Sequence, residues 1–473
     1  MQAQEESVKF VFINPSRTID TGNIWNTINA ITPPLGLATL AAVLEQAGHH
    51  ADIIDMSAMN MSVSDVLEKV DPAADHVGIT ATTPEISSAQ RLAAAVRERY
   101  PRMGIIMGGV HPTVCHQELV EDRSCDIVVR GEGEQTLLDI ANGSPLDKVP
   151  NITWRSSTGE VVINQAVDRY VDLNTLPFPA FEKLPMDRYR SALGAARKSP
   201  SIGVITSRGC PGTCTFCFSG MFGTRIRFMS ADRVLELIRN LQKTFGIREI
   251  SFYDDTFTAH KRRVEELCNA LIRERIRISW SCFARVDSVS PDLLKLMHAA
   301  GCHQIMYGFE SADDSILEGI NKRVKFSSYD QIVKWTRDAR IDIRGAFMLG
   351  SLGETTASLQ KTIDYSKSLG IQFAIYNITT PFPGTRLYDD VAARGYLKHR
   401  DWDQYDLAHA VMELPTIPAT EVERFYARAY REFYLRLSYA LGRILAIRTG
   451  YQFGSYGKVF VGMLRMIVRG RMK

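Results

Sequence analysis

Apolar and polar positions over the first 140 residues alternate between short apolar runs and stretches with helical spacing. The apolar runs that fit strands occupy residues 8–13, 50–55, 76–80, 103–107 and 126–129. Between them, segments such as 35–47 and 85–100 repeat apolar residues every three or four positions, as amphipathic helices do. This alternation predicts an α/β fold, a doubly wound, Rossmann-like parallel sheet with helices on both faces.

The same alternation resumes after residue 200 on a larger scale. Strands are predicted at residues 202–206, 249–253, 280–284, 304–308, 343–349 and 373–378, with helices between them. Six strand–helix units predict a partial (β/α)6 barrel. Its active site should lie at the carboxyl ends of the strands.

Proline content and loss of periodicity mark two further segments. Residues 143–200 are rich in proline, with one hairpin-like stretch, and read as a connector packed on both neighbours. Beyond residue 385 the pattern becomes irregular and then helical. We therefore divide the chain into an N-terminal domain (1–142), a connector (143–200), a barrel (201–385) and a largely helical extension with a basic amphipathic tail (386–473).

Composition and charge add one feature to this picture. A length of 473 residues, with 45% hydrophobic and 23% charged residues, fits a globular protein of two or three domains. The net charge is only +3, but residues 421–473 hold eleven Lys or Arg and three Glu, a local balance of +8. An interaction with an acidic partner is therefore predicted for the tail alone.

The chain ends bear on localisation. The opening MQAQEESVKF lacks the apolar run of a signal peptide, and no stretch has the ~20 apolar residues of a membrane-spanning helix. We expect a cytoplasmic protein. Aromatic residues at helical spacing over 421–440 predict a helix that covers the barrel. Residues 459–468 are apolar apart from Arg465 and are followed by basic residues, which predicts peripheral contact with an anionic membrane.

Three of the eight cysteines are candidate metal ligands. Cys210, Cys214 and Cys217 follow a predicted strand in a loop rich in Gly and Pro, with the spacing Cys-x3-Cys-x2-Cys. Three thiolates suit an iron–sulfur cluster and would leave one of four irons open to substrate. A zinc site is the alternative, but it usually takes four ligands, and no fourth Cys or His is close in sequence. The remaining cysteines are predicted to be core residues: Cys115, Cys125, Cys268, Cys282 and Cys302.

This loop, with Phe216 and Phe218 beside Cys217, resembles the radical S-adenosylmethionine (SAM) superfamily. The resemblance implies a [4Fe–4S] cluster whose open iron chelates SAM. It also implies that one electron, from a reductant such as flavodoxin or ferredoxin, splits SAM into methionine and a 5′-deoxyadenosyl radical. The protein positions the cofactor and keeps water from the radical.

Polar residues at the barrel strand ends agree with that resemblance. Asp254 and Asp255 follow the second strand, where this family places contacts to the methionine moiety, although they could instead cap the next helix. Arg285 closes the third strand and Glu310 the fourth, and both are candidate cofactor contacts. Glu310 is expected to accept hydrogen bonds from the ribose or amino group of SAM, with an ion pair to Arg285 as the alternative.

The fifth barrel strand carries a glycine-rich turn that also resembles the family. Gly345 and Gly350 are its candidate cofactor contacts. Leu352 stands where relatives usually have proline, so the shape of this turn departs from the family pattern.

In front of a radical domain, the N-terminal sheet resembles the cobalamin-binding domain of the class B branch. The supporting residues are the glycines at two strand ends, Gly108, Gly109, Gly131 and Gly133, which would let the backbone approach a corrin. No Asp-x-His-x-x-Gly motif is present to supply a cobalt ligand. His111 is the nearest candidate, although it reads more simply as a helix-start residue. A sheet that binds no cofactor is the alternative.

Three functions remain open from the sequence. The first is a cobalamin-dependent radical SAM enzyme that methylates an unactivated carbon of a hydrophobic small molecule. The second keeps the cofactors and closes or rearranges a ring, as in the anaerobic magnesium-protoporphyrin monomethyl ester cyclases, which residues 433–436 resemble. The third is a non-catalytic cobalamin or cluster sensor. No nucleic-acid partner is expected, since no basic β-rich domain follows residue 385. No motif identifies the substrate or a catalytic residue.

Overall fold

The computed structural model describes residues 7–16, 30–192, 194–437, 439, 441–442 and 450. The predicted apolar segment at 459–468 and the basic residues after it lie outside these residues. The described chain forms a seven-stranded sheet, a six-stranded sheet and a two-stranded ribbon.

The N-terminal sheet begins with five parallel strands in the order β2-β1-β3-β4-β5. The strands are β1 (Lys9–Asn14), β2 (His50–Asp55), β3 (His76–Thr80), β4 (Gly104–Gly108) and β5 (Ile127–Val129). The helices are α1 (Leu35–Gln46), α2 (Met56–Met59), α3 (Val63–Lys69), α4 (Ile86–Arg99), α5 (Val110–Val114), α6 (His116–Glu121) and α7 (Glu134–Ala141). Helices α1 and α7 share one apolar layer with the sheet, and α3 and α4 share another. The predicted doubly wound fold is confirmed.

The hairpin of the connector extends this sheet. Strands β6 (Ile152–Arg155) and β7 (Val161–Ile163) pair antiparallel beside β5. Further along, Phe181, Leu184 and Tyr189 are buried in the core of the barrel. The connector therefore packs on both neighbours, and its first part is the edge of the N-terminal sheet.

The second sheet is the predicted partial barrel. Its six strands are parallel, in the order β15-β14-β13-β12-β11-β8, and the two outer strands do not pair with each other. The strands of this sheet are β8 (Ser201–Val204), β11 (Glu249–Phe252), β12 (Ser279–Ala284), β13 (Cys302–Glu310), β14 (Asp342–Leu349) and β15 (Phe373–Ile378). The separate two-stranded ribbon consists of β9 (Ser207–Arg208) and β10 (Arg227–Phe228). The helices are α8 (Ala231–Phe245), α9 (Lys261–Arg273), α10 (Pro291–Ala299), α11 (Asp314–Gly319), α12 (Tyr329–Asp338), α13 (Thr356–Ser368), α14 (Arg386–Ala393) and α15 (Ala419–Tyr434).

Helix α15 covers the open edge of this sheet, as predicted for the 421–440 segment. The Tyr430 hydroxyl donates to the carbonyl oxygen of Tyr376 (2.9 Å) and accepts from its N–H (3.0 Å). The Tyr434 hydroxyl bonds both backbone groups of Ala374 in the same way, at 2.7 and 3.1 Å. An edge strand otherwise leaves such groups unpaired. Among the described residues, no helix combines the length and apolarity needed to cross a membrane.

Candidate cofactor and active site

The cysteine loop, residues 209–226, is closed at its base by the β9–β10 ribbon. Ser207 pairs with Phe228, and Arg208 with Arg227. Gly209 opens the loop with a φ of +93°, and a Cβ there would lie 2.4 Å from the carbonyl oxygen of Arg225. Only glycine fits this crossing of two backbones, so the local sequence sets the point where the loop leaves the barrel.

Two of the three cysteine thiols flank Gly212 within the loop. A Cβ on Gly212 would lie 3.3 Å from Cys210 Sγ and 3.9 Å from Cys214 Sγ, and the Gly212 N–H lies 3.4 Å from Cys210 Sγ. Cys217 is exposed farther along. No three Cys, His, Asp or Glu side chains in the described part of the chain are close enough to share one metal ion.

Cations surround the cysteine loop from the barrel side. Arg285 Nη1 lies 3.9 Å from Cys214 Sγ. Burial raises the pKa of the Cys214 thiol, whereas the charges of Lys322 and Arg285 favour its thiolate and act in the opposite direction. A set of three soft ligands with a guanidinium beside one of them fits a thiolate-bound iron–sulfur cluster.

The two adjacent carboxylates after β11 have different surroundings. Asp254 is fully buried and accepts hydrogen bonds from the Thr206 N–H (2.5 Å), the Thr206 hydroxyl (2.8 Å) and the Ser207 N–H (3.1 Å), with Arg263 at 3.3 Å. It therefore anchors the chain entering the cysteine loop, and its role as a cofactor contact stays a prediction. Asp255 is exposed, and partial desolvation together with the charge of Asp254 raises its pKa.

Glu310 ends β13 in a left-handed conformation. Its φ is +65°, at a shift in register against β14. Its Oε1 accepts a hydrogen bond of 2.8 Å from Lys322 Nζ, and both side chains are largely buried. Lys322 was not identified from the sequence, because it lies in an Asn-Lys-Arg turn after α11 that matches no motif.

Arg285 does not form the ion pair with Glu310 that was considered as an alternative. Its guanidinium makes two hydrogen bonds of 2.9 Å to the Asp287 carboxylate and one of 3.0 Å to the carbonyl oxygen of Lys322. Arg285, Lys322 and Glu310 therefore form one charged wall beside Cys214.

The two fifth-strand glycines have local roles. A Cβ on Gly345 would lie 2.8 Å from Ile371 and 3.0 Å from the Phe309 and Phe347 rings, so this glycine lies within side-chain packing. Gly350 has a φ of +85° and donates its N–H to Glu354 Oε2 at 2.5 Å. Close packing and turn geometry therefore account for both residues, and their role as cofactor contacts stays a prediction.

The four N-terminal glycines all line one pocket at the carboxyl ends of the N-terminal strands. A Cβ on Gly109, where φ is +99°, would lie 2.8 Å from Thr80 Oγ1 and 2.9 Å from the Ala81 carbonyl oxygen. The pocket is lined by Phe12, Gly36, Leu37, Leu40, Gly78, Ile79, Thr80, Ile106, Met107, Gly108, Gly109, Val129, Gly131, Glu132, Gly133, Glu134, Leu137, Arg208, Met221 and Phe222. An apolar cleft walled by backbone fits a large planar cofactor such as a corrin.

His111 is not among these lining residues. It is buried, with its Nδ1 3.2 Å from Thr83 Oγ1 and its ring edge against Trp402 at 5.2 Å. Burial lowers the pKa of His111 to about 4. His111 is thus a packed core residue at the start of α5, and its contact with cobalt stays a prediction.

The pocket and the cysteine loop share a wall. Arg208 precedes the loop, and Met221 and Phe222 belong to it, yet all three line the pocket from the barrel side. From the other side, Thr113 Oγ1 lies 3.7 Å from Met221 Sδ and accepts the Gly131 N–H at 3.0 Å. The two candidate cofactor sites therefore adjoin each other.

Fold and site together define a two-module enzyme class, with a three-cysteine loop at the mouth of a partial barrel and a doubly wound domain facing it. The family model of the radical SAM superfamily matches residues 204–366, and that of the B12 binding domain matches residues 24–141. A relative described as uncharacterized methyltransferase PH0819, from Pyrococcus horikoshii, is 34% identical over 422 residues, 87% of this chain and 90% of the relative. The chain belongs to the cobalamin-binding branch of the radical SAM superfamily. It is an enzyme whose cofactors are a [4Fe–4S] cluster, SAM and cobalamin.

The chain is also similar to a relative of named activity and to a solved structure. The anaerobic magnesium-protoporphyrin IX monomethyl ester cyclase of Rubrivivax gelatinosus is 26% identical over 427 residues, 86% of this chain and 74% of the relative. The radical SAM methyltransferase TsrM from Kitasatospora setae, solved with cobalamin and a [4Fe–4S] cluster bound, superposes with a TM-score of 0.67 at 18% identity. That match covers 82% of this chain and 75% of the solved one and confirms the fold.

Proposed function

We propose that this enzyme transfers a methyl group from SAM to an unactivated carbon of a hydrophobic small molecule. The observation that carries the proposal is the shared wall: Arg208, Met221 and Phe222 line the glycine pocket and belong to, or directly precede, the cysteine loop. A methyl carrier in that pocket would adjoin the site where a radical forms. The methyltransferase among the relatives supports the same outcome.

The residues have distinct proposed roles. Cys210, Cys214 and Cys217 hold the cluster, which when bound supplies an electron and an open iron for SAM, while bound cobalamin supplies a methyl carrier. Asp255 accepts hydrogen bonds at the mouth of the barrel, and Glu310 orients polar groups of SAM. Gly108, Gly109, Gly131 and Gly133 form the backbone wall for the corrin.

Arg285 and Lys322 have an electrostatic role in this proposal. Both cations lie beside Cys214, where they favour its thiolate form. The Lys322 charge also keeps the Glu310 carboxylate in place through their 2.8 Å hydrogen bond. A one-electron donor such as flavodoxin or ferredoxin completes the system.

Methyl-labelled SAM tests the transfer. Protein reconstituted anaerobically with iron, sulfide and cobalamin is incubated with dithionite, labelled SAM and a lipid and pigment extract, and the products are examined by mass spectrometry. Label in an extract component together with 5′-deoxyadenosine supports the proposal. Cys214→Ala should form no 5′-deoxyadenosine, whereas Cys115→Ala, a half-buried cysteine outside the loop, should behave as wild type. Cofactor binding without 5′-deoxyadenosine in wild type would indicate a sensor.

Ring closure is the second candidate, favoured by the 26% identity to the magnesium-protoporphyrin cyclase over most of both chains. It uses the same cofactors on a tetrapyrrole-like substrate. The same experiment separates the two, because ring closure or rearrangement gives 5′-deoxyadenosine and an altered pigment that carries no label.

We also propose that the C-terminal end contacts membranes. Residues 459–468 are apolar apart from Arg465, and Arg469, Arg471 and Lys473 follow them in the sequence. Apolar side chains beside basic charge suit anionic lipid headgroups. The full chain should float with anionic vesicles, and a chain ending at Gly450 should not. Equal flotation of both, or flotation with zwitterionic vesicles alone, would contradict membrane binding by the basic tail.

A further inference from the structure

Four charged side chains form a buried cluster between the N-terminal domain and the cysteine loop. Their exposed fractions are 4% for Glu132, 6% for Glu134, 11% for Arg208 and 14% for Arg227. Arg208 donates to Glu132 Oε2 at 3.0 Å and to Glu134 Oε1 at 2.6 Å. Arg227 donates to Glu132 Oε2 at 3.0 Å and also pairs with Oε1 of the same carboxylate.

The members of this cluster come from segments far apart in sequence. Glu132 lies between β5 and α7, and Glu134 is the first residue of α7. Arg208 and Arg227 are the paired residues of the ribbon that closes the cysteine loop. Arg227 also donates to the carbonyl oxygens of Val171 (3.0 Å) in the connector and Phe222 (3.4 Å) in the loop. The Arg227 guanidinium thus joins the N-terminal domain, the connector and the cysteine loop.

The charges of the cluster balance, and the cluster forms only while the N-terminal domain and the ribbon of the cysteine loop are in contact. Two carboxylates face two guanidinium groups, and removal of one partner would leave a buried charge uncompensated, which is strongly unfavourable. Each Arg approaches carboxylate oxygens from a planar fork, so the contact also fixes orientation. The cluster therefore holds the loop in one register against the N-terminal sheet.

Three members also touch the cobalamin pocket. Glu132, Glu134 and Arg208 are its charged lining residues within an otherwise largely apolar wall. A cofactor in the pocket would therefore lie against the guanidinium of Arg208, which is also part of the ribbon that closes the cysteine loop. A metal cluster held by the loop would act on the same ribbon from the other side.

We propose that the Glu132–Glu134–Arg208–Arg227 cluster couples the two cofactor sites, so that each bound cofactor strengthens retention of the other. Arg208 and Arg227 are positioning residues in this scheme: they act through the loop and the pocket wall. The coupling is the same whether the reaction is methyl transfer or ring closure. Equilibrium coupling is reciprocal. The bound [4Fe–4S] cluster therefore raises the affinity for cobalamin by the same factor as bound cobalamin raises the affinity for the [4Fe–4S] cluster.

Cobalamin titration with and without the [4Fe–4S] cluster measures this coupling. The full chain is titrated anaerobically with hydroxocobalamin, following visible absorbance, before and after reconstitution with iron and sulfide. Wild type should bind cobalamin at least about fivefold more tightly once the cluster is present, the lower range of coupling between sites. In Arg208→Gln this ratio should fall to near one, and in Arg208→Lys, which keeps the charge but loses the fork, it should be intermediate.

The matched control is Lys183→Gln, which removes a contact of 2.6 Å between the connector and Glu45 on α1, away from the pocket. It should keep the wild-type ratio. If Arg208→Gln does not fold, Arg208→Lys and Glu134→Gln provide the test. Loss of the [4Fe–4S] cluster to a chelator is then measured in the presence and absence of cobalamin. A wild-type ratio of one, an unchanged ratio in the folded Arg208 and Glu134 variants, or an equal loss in Lys183→Gln would overturn the proposal.

Discussion

Glu310 combines backbone strain with a buried charge. A non-glycine residue at a φ of +65° occupies a sparsely populated region, and such residues persist where the surroundings hold them. Here the ion pair with Lys322 and the irregular register against β14 provide that constraint. Strain and charge coincide at the mouth of the barrel, beside the cysteine loop.

Removing one side of this pair should destabilise the fold. Lys322→Met leaves the Glu310 carboxylate buried without its cation, so the free energy of unfolding should fall by about 3–5 kcal/mol. The double variant Glu310→Gln and Lys322→Met should recover much of that loss. Urea unfolding followed by circular dichroism measures both. A double variant less stable than the single one would contradict this account.

Glu354 should make stability depend on pH. It is fully buried, with Oε2 accepting the N–H groups of Gly350 (2.5 Å) and Ser351 (2.8 Å), and burial raises its pKa from 4.5 to about 8. The folded state therefore holds an extra proton between those values. Its contribution to stability is fully present below pH 4.5 and is lost as pH rises toward 8, by at most about 1.4 kcal/mol per pH unit.

Comparison with Glu354→Gln isolates this effect. The amide oxygen can accept the same two N–H groups, and the variant does not titrate. The difference in unfolding free energy between wild type and variant, measured by denaturant unfolding from pH 5 to 8, should shift in favour of the variant as pH rises. A difference that stays constant with pH would show that Glu354 is not protonated in this range.

At the scale of elements, helix α15 replaces the neighbour that the last barrel strand lacks. Tyr430 and Tyr434, one helical turn apart, meet alternate residues of β15, because two strand residues span nearly the same distance as four helical ones. Tyr439 extends the series, with its hydroxyl 3.1 Å from the carbonyl oxygen of Gln372. The helix is thus both an apolar cover and a hydrogen-bonding partner.

Tyr430→Phe should weaken this edge. The change keeps the ring but leaves the N–H and carbonyl of Tyr376 without that partner, so the free energy of unfolding should fall by about 1–3 kcal/mol. Hydrogen exchange of the Tyr376 amide should become faster. Tyr396→Phe, at a half-buried tyrosine outside the helix, is the control. Equal effects in both would argue against an edge-specific role.

At the scale of the whole molecule, the glycine pocket is lined by residues of both domains. Gly36, the second residue of α1, lines it with open space around its Cβ position, so a side chain can be added there without a clash. Few positions offer a way to fill a cofactor site while the fold stays intact.

Gly36→Leu should abolish cobalamin retention without lowering the thermal midpoint. Leucine favours a helix more than glycine does, by somewhat under 1 kcal/mol, and its side chain would extend into the pocket. Absorbance of the purified protein gives the cobalamin stoichiometry, and calorimetry gives the midpoint. Gly319→Leu, at another open helical glycine, should retain cobalamin. Full cobalamin retention in Gly36→Leu would place the corrin elsewhere.

The sequence by itself determined the features that depend on local spacing. The spacing of apolar residues was sufficient to predict both sheets and helix α15, because a strand or helix with one buried face repeats apolar residues at a fixed interval. The close spacing of Cys210, Cys214 and Cys217 predicted a shared ligand loop, because thiols a few residues apart can bind one iron–sulfur cluster. Glycines at the ends of β4 and β5 predicted a cofactor wall, since parallel strands bring such ends to one edge of a sheet.

Only the tertiary structure decided which polar groups meet. Asp254 and Asp255 are neighbours in sequence, yet one is enclosed by four partners and the other is exposed, because the chain entering the cysteine loop passes over only the first. Lys322 contacts Glu310 across the segment that contains α11, and Arg208 contacts Glu132 from a distant part of the chain. No local sequence pattern predicts either pair. Charge pairing across domains depends on distances in space, and those are set by how the two sheets pack.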